Sequence, residues 1–284
     1  MASSAPAEVP PAGLSPAARS GTTAPGARPP EVWRAALVGL WLLLCGAALP
    51  AQAGTAQVAV ASNFAGTLAA LAPGFEAATG HRLQVSAGPT GRLGTQIAAG
   101  APFQVLLAAD QATPARLEAA GHAVRGTRFT YAVGQLVLWS RQPGLVDPQG
   151  AVLAHGRFSH LAIANPKLAP YGAAAMAVLQ ARGLADRLAP RLVTAESIAQ
   201  AHAFVRSGNA ELGFVAWSQL VAPGQVLTGS YWRVPAALHP PIRQDAVLLA
   251  PGRGQAAPQA LLAYLKTPAA QALIRAQGYA GPRP

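Results

Sequence analysis

Apolar positions along the chain switch repeatedly between an alternation of period two and the three-to-four spacing of a helix. In AQVAVAS (56–62), Val58 and Val60 alternate with alanine and predict a strand. Directly after it Phe64, Leu68, Leu71 and Phe75 fall at helical spacing, which predicts a helix from Phe64 to about Thr79, stopped by Gly80. RLQVSAG (82–88) reads as a strand. GPTGRLGTQIAAG (88–100) reads as a glycine-rich turn and a short helix with Leu93 and Ile97 four apart. FQVLLAAD (103–110) is almost continuously apolar, the pattern of a strand buried on both faces of a parallel sheet. PARLEAAG (114–121) follows as a helix ending at Gly121.

The alternation continues downstream. FTYAVGQLVLWS (129–140) predicts one long strand, placed where the chain could cross between two lobes. HLAIANP (160–166) and AELGFVAW (210–217) predict strands. YGAAAMAVLQARG (171–183) and ESIAQAHAFVRSG (196–208) predict helices. IRQDAVLLA (242–250) is a second candidate crossing strand. In TPAAQALIRAQG (267–278), Thr267 is the expected N-cap, Pro268 the first helical residue and Gly278 the stop. Strands alternating with helices predict an α/β architecture.

The first fifty residues follow other rules. Residues 1–31 are rich in Pro, Ala and Ser and read as disordered. AALVGLWLLLCGAAL (35–49) is an apolar run preceded by Arg34 and followed by Ala51, Gln52 and Ala53, a small-residue cleavage pattern. The run is short for a membrane span, which needs roughly twenty residues. A secretory leader over 1–53, cleaved near Ala53, is therefore expected, with the mature protein exported to the periplasm. Cys45, the single cysteine, falls inside this leader, so no disulfide or C-x-x-C site is available to the mature chain.

Composition narrows the function. With 51% hydrophobic and 11% charged residues the 284-residue chain has the makings of a folded core. The net charge of +11 invites a nucleic-acid reading, but the arginines are scattered and no nucleic-acid-binding motif is present, so no nucleic acid is expected as a partner. G-x-S-x-G, H-E-x-x-H and P-loop patterns are absent. The six histidines show no i, i+4 ligand pair, the carboxylates are dispersed, and no enzyme is expected.

What does recur is a strand end, a small polar or glycine-rich turn, and a helix start. It occurs at ASNF (61–64), GPTG (88–91), APYG (169–172) and ESIAQ (196–200). Each helix start offers unpaired backbone N–H groups at the positive end of a dipole, and several converging starts form an anion site without a charged side chain. The hydroxyls of Ser62, Thr90 and Tyr171 and the side-chain amide of Asn63 would add donors. Singly, each of these is an ordinary cap.

These stretches, together with VSAGPTGRLGTQIAAGAPFQVLLAAD (85–110), AIANPKLAPYGAAAMAVL (162–179) and YLKTPAAQALIRAQGY (264–279), resemble the periplasmic molybdate-binding proteins of molybdate ABC transporters over nearly all of 56–282. The resemblance implies a two-lobed α/β periplasmic binding protein of type II with two hinge strands, near Tyr131–Gly134 and Asp245–Val247. Lobe 1 would take 54–132 and 246–284, and lobe 2 would take 133–245. It further implies oxyanion contacts at Ser62, Asn63, Thr90, Tyr171 and, through its backbone N–H, Ile198. The metal enters only as the molybdate or tungstate anion held by those residues. No cofactor is implied; the partners are the anion and an ABC permease, and a monomer is expected. One branch of the family uses a tyrosine where this chain has Ala216, and Tyr171 looks like its substitute. Thr90 stands where serine is commoner. Asp110 is expected to cap the helix after it rather than meet a dianion. Two other readings stay open on sequence: a sensor that presents an oxyanion to a membrane partner, and a secreted enzyme on the same fold, for which no acid, base or nucleophile stands out.

Overall fold

A computed structural model of the chain describes residues 53–221 and 227–281. The predicted leader, apart from Ala53, lies outside them. The elements in chain order are β1 (Thr55–Ala61), α1 (Ala65–Thr79), β2 (Arg82–Gly88), α2 (Thr90–Ala98), β3 (Val105–Leu107), α3 (Ala112–Ala119), β4 (Phe129–Gly134) and β5 (Leu136–Ser140). They continue as α4 (Val152–His155), β6 (Leu161–Ala164), α5 (Pro170–Ala181), α6 (Ala185–Leu188), β7 (Leu192–Ala195) and α7 (Ile198–Ser207). The last are β8 (Leu212–Ala216), β9 (Ser230–Arg233), β10 (Ile242–Leu248), α8 (Ala256–Leu265) and α9 (Pro268–Ala276).

Two five-stranded mixed sheets result, ordered β2-β1-β3-β10-β4 and β7-β6-β8-β5-β9. In the first, β1 runs parallel to β2 and β3, while β10 is antiparallel to β3 and β4. The second repeats the scheme: β6 is parallel to β7 and β8, and β5 is antiparallel to β8 and β9. In both sheets the parallel strands are joined through helices, so their C-terminal tips and the helix starts after them lie along one edge. That edge is where open α/β sheets take their ligands.

Each sheet has its own apolar core. Val58, Val60, Phe64, Leu68, Phe75, Leu107 and Leu261 pack the first, and a smaller cluster around Leu93, Leu106 and Leu117 fills its other face. Leu138, Leu161, Ile163, Tyr171, Val178, Phe214 and Val215 pack the second. The helical spacing of Phe64, Leu68, Leu71 and Phe75 is thus the buried stripe of α1, and Gly80 ends that helix with a φ of 70°, a left-handed turn open to glycine. Thr267 caps α9 as expected, its hydroxyl accepting from the Ala270 N–H.

The predicted long strand 129–140 is two strands in two different sheets, parted by Gln135 alone. The reason is local. Gln135 turns its side chain to the Gly278 carbonyl (2.9 Å) while its own carbonyl accepts from the Trp217 N–H (2.9 Å), so it joins neither ladder. The chain returns to the first sheet between β9 and β10, and β10 lies wholly in that sheet with a register shift between Gln244 and Asp245.

Candidate functional site

The five candidate residues all fall on strand tips or helix starts where the two lobes meet. Ser62 and Asn63 follow β1, with the Ser62 N–H donating to the Gly88 carbonyl at the tip of β2 (3.0 Å). Thr90 opens α2 and is 1% exposed; its Oγ1 accepts from the Ala109 N–H (3.0 Å). That contact occupies a lone pair and leaves the hydroxyl proton free to donate elsewhere. Tyr171 is the second residue of α5 and Ile198 the first of α7. Ser197 caps α7 by accepting from the Gln200 N–H (3.2 Å), and among the described residues the N–H groups of Ile198 and Ala199 have no acceptor.

Contacts across the seam hold these tips against each other. The Gly91 N–H donates to the Leu168 carbonyl (2.9 Å), and a Cβ on residue 91 would stand 3.2 Å from the Leu168 backbone, so glycine permits the approach. Arg92, in the first turn of α2, pairs with Glu196, just before α7. One cavity is lined by Ser62, Gly88 and Pro89 from the first lobe and by Glu196, Ser197 and Ala199 from the second. A second is lined by Ser62 and Asn63 together with His202, Ser218 and Gln219. Ser62 borders both.

Behind the seam lies a buried polar chain. Asn63 Nδ2 donates to Gln244 Oε1 (3.0 Å) and to the Tyr279 hydroxyl (3.1 Å), which in turn donates to the Asn63 carbonyl (2.8 Å). Gln244 Oε1 also accepts from the Tyr131 hydroxyl (3.1 Å), and Gln244 Nε2 donates to the Tyr171 hydroxyl (3.2 Å). The amide of Asn63, expected as a ligand donor, is therefore committed inward. What Asn63 leaves unpaired among the described residues is its backbone N–H. The Tyr171 hydroxyl accepts from Gln244, so its proton is left to point elsewhere.

Burial pushes all three phenols up. Tyr171 and Tyr131 are held well above the usual phenol range, and Tyr279 is pushed up to about 12 against the bonds it makes with Ser218, Asn63 and Thr67. They stay neutral hydroxyls at physiological pH. Asp110 accepts from the Thr113 N–H (2.8 Å) and hydroxyl (3.2 Å), which caps α3 as expected; burial raises its pKa, with these bonds opposing. Burial also lowers His202, helped by the nearby Arg206 charge, and its ring stacks on Trp139 at 5.1 Å.

Two lobes that meet along one edge, with neutral donors on both sides, form a clasp for a small polar ligand. Residues 56–280 match the family described as bacterial extracellular solute-binding protein. The chain belongs to that family. The solute-binding protein is 55% identical over 242 residues to molybdate-binding protein ModA of Azotobacter vinelandii, covering 85% of this chain and 94% of the relative. It is 48% identical over 250 residues to molybdate-binding protein ModA of Rhodobacter capsulatus, covering 88% and 97%. The solved periplasmic molybdate-binding protein of Azotobacter vinelandii superposes with a TM-score of 0.78 at 44% identity, covering 80% of this chain and all of that one. A sulfate-binding protein of Mycobacterium tuberculosis shares the fold at 15% identity and a TM-score of 0.67.

Sequence reasoning missed Gln244, Tyr279 and Tyr131 as parts of the site. A signal existed for one of them: Arg243, Gln244 and Asp245 interrupt an apolar strand, and polar residues buried in such a place need partners.

Proposed function

We propose that this solute-binding protein captures molybdate, or tungstate, between its lobes and delivers it to an ABC permease. Ser62, Asn63, Thr90, Tyr171 and Ile198 make the anion contacts. The observation that carries this reading is the meeting of uncharged, unpaired donors from both lobes on one seam: the hydroxyl protons of Thr90 and Tyr171 and the N–H groups of Asn63, Ile198 and Ala199. The relatives named for molybdate, at 55% and 48% identity, supply the ligand class.

Hydrogen bonds to a charged group contribute roughly 1.5–3 kcal/mol each, so about seven give a gross ~10–20 kcal/mol. That suffices for tight binding after desolvation and closure are subtracted. An anion touching both lobes favours the closed form, which is the form a permease can recognise. The protein acts in the periplasm as a monomer, after its leader is removed near Ala53. A ring of donors fixed by α2, α5 and α7 suits one anion radius, which favours molybdate and tungstate over the smaller sulfate.

Calorimetry of the mature protein with molybdate, tungstate, sulfate and phosphate tests the reading. Binding of the first two, with sulfate and phosphate at least about a hundredfold weaker, is the expected result. Equal affinity for sulfate would overturn the selectivity, and an anion-independent protein would overturn the function.

A further inference from the structure

We propose that Gln244 is a positioning residue for the anion, setting the donor direction of contacts on both lobes at once; this rests on the molybdate reading above. Its side chain is fully buried, at 0% exposure, and no carboxylate or cation takes part in its bonds. Three neighbours converge on one amide. Oε1 accepts from Asn63 Nδ2 and from the Tyr131 hydroxyl, and Nε2 donates across the seam to the Tyr171 hydroxyl.

An amide has a donor end and an acceptor end, and this pairing uses both in a way no other side chain of that size reproduces. Because Nε2 fills a lone pair of the Tyr171 oxygen, the phenol proton is turned away from Gln244, toward the cleft. Without that donor, Tyr171 could instead present a lone pair to a dianion. Because Oε1 holds Asn63 Nδ2, the Asn63 side chain stays packed inward and the turn at Ser62–Asn63 keeps its backbone N–H outward. Gln244 thus links β10 of the first lobe to α5 of the second.

Gly134 supports the same reading from another side. A Cβ there would collide with the Tyr171 hydroxyl and lie 2.7 Å from Gln244 Nε2. Residue 134 ends β4 in extended backbone and carries no positive φ, so glycine is required here for space rather than for conformation. The hydroxyl and the amide meet in the room that the missing side chain leaves. The titratable groups facing this point are Tyr131, Tyr171 and Tyr279, all held as neutral phenols, with the carboxylates of Asp110 and Asp245 near Tyr131.

The test is a double-mutant cycle between Gln244→Met and Tyr171→Phe, read by molybdate calorimetry, with circular dichroism and thermal melts of each apo protein. Gln244→Met keeps the volume and removes both ends of the amide. The expected result is a loss of affinity of about tenfold or more for Gln244→Met. In the Tyr171→Phe background the same substitution should cost much less, because the hydroxyl it orients is gone. A merely structural role would lower the melting temperature and leave the two losses additive. Additive losses, or a Gln244→Met variant that binds as tightly as the parent, overturn the proposal. Should Gln244→Met fail to fold, Gly134→Ala decides: it separates hydroxyl from amide without changing either, and unchanged molybdate affinity there would sink the idea. Failure of the parent protein to bind molybdate would instead remove the functional reading itself, so the two failures are told apart in the first titration.

Discussion

Replacing Tyr171 with phenylalanine removes one oxygen and nothing else, and the structure says what that oxygen does. It accepts from Gln244 Nε2 at 3.2 Å, and its proton is left to point elsewhere, in the proposed clasp to the anion. A bond from a hydroxyl to a charged ligand contributes roughly 1.5–3 kcal/mol, and the neutral bond to Gln244 adds about 0.5–1.5 kcal/mol. In the proposed closure both act together, since Tyr171 stands on α5 of the second sheet's lobe and Gln244 on β10 of the first sheet. Tyr171→Phe should therefore lose about 2–4.5 kcal/mol of binding, on the order of 30- to 2000-fold in dissociation constant. The apo melting temperature should hardly move, because the ring still fills its place against the second core. The assay pairs molybdate calorimetry with thermal unfolding with and without molybdate. A loss below about threefold would mean that the hydroxyl does not face the anion, and an equal drop in apo stability would mean that the bond belongs to folding rather than to closure.

Other consequences follow from the same contacts. Asn63→Ala takes one donor from Gln244 Oε1 and one from the Tyr279 hydroxyl inside one lobe, though each keeps another partner, so it should lower apo stability by about 0.5–1.5 kcal/mol per lost bond as well as affinity, measured by urea unfolding. Arg128→Met should lower stability by about 3 kcal/mol in the same assay, since Asp245, 1% exposed, loses its 2.7 Å ion pair and keeps a buried charge. Arg92→Gln should change molybdate affinity by no more than about 1 kcal/mol, because its pair with Glu196 is half exposed and solvent-screened. Tyr279 has its phenol raised in the folded protein from 10.0 to about 12, so its contribution to stability is complete below pH 10 and is lost as pH climbs through about 12; a pH series of melts should fall off in that window.

Much of the fold could be read along the chain because each βα unit writes its own boundaries. Val58 and Val60 alternate, Phe64 starts a helical stripe, and Gly80 stops it; the structure places a strand, a helix and a left-handed cap there. The tips were equally legible, since caps and glycine turns are local signals. What escaped was whatever depends on partners far away in sequence. Residues 129–140 keep one apolar pattern throughout, and only the capture of Gln135 by Gly278 and Trp217 divides them between sheets. Strands β7 (LVTA) and β9 (SYWR) carry no apolar run such as marks β3 and β6, which are of no greater length. Helix α8 carries Leu261, Leu262 and Leu265 and was overlooked beside the stronger cap of α9. At the site, the sequence marked Asn63 for its amide, but that amide faces Gln244, 181 residues away, and no local pattern announces that contact.

None of the net charge of +11 comes from the proposed contact residues, and this bears on how a captured anion is released. Two arginines near the clasp have protein partners, Arg92 in Glu196 and Arg128 in Asp245 and Glu118; the Asp110 carboxylate is bonded by Thr113, and Arg116, Lys167 and Arg243 line a neighbouring cavity. In the proposed clasp a set of dipoles faces the ligand, and dipoles lose their hold steeply once the lobes part, whereas an arginine would follow the anion over several ångströms. Affinity should accordingly change by less than about tenfold between low and high sodium chloride, since contacts inside a closed cleft lie within the ~8–10 Å Debye length. It should also stay flat between about pH 6 and 8, since the phenols are pushed up and His202, at the cavity edge, is pushed down. The scattered arginines would act on the rate of encounter, raising it at low salt. Titration of molybdate at several salt concentrations, with the association rate followed separately, distinguishes the two: a hundredfold fall in affinity would put a cation in contact with the anion and refute a clasp built from neutral donors.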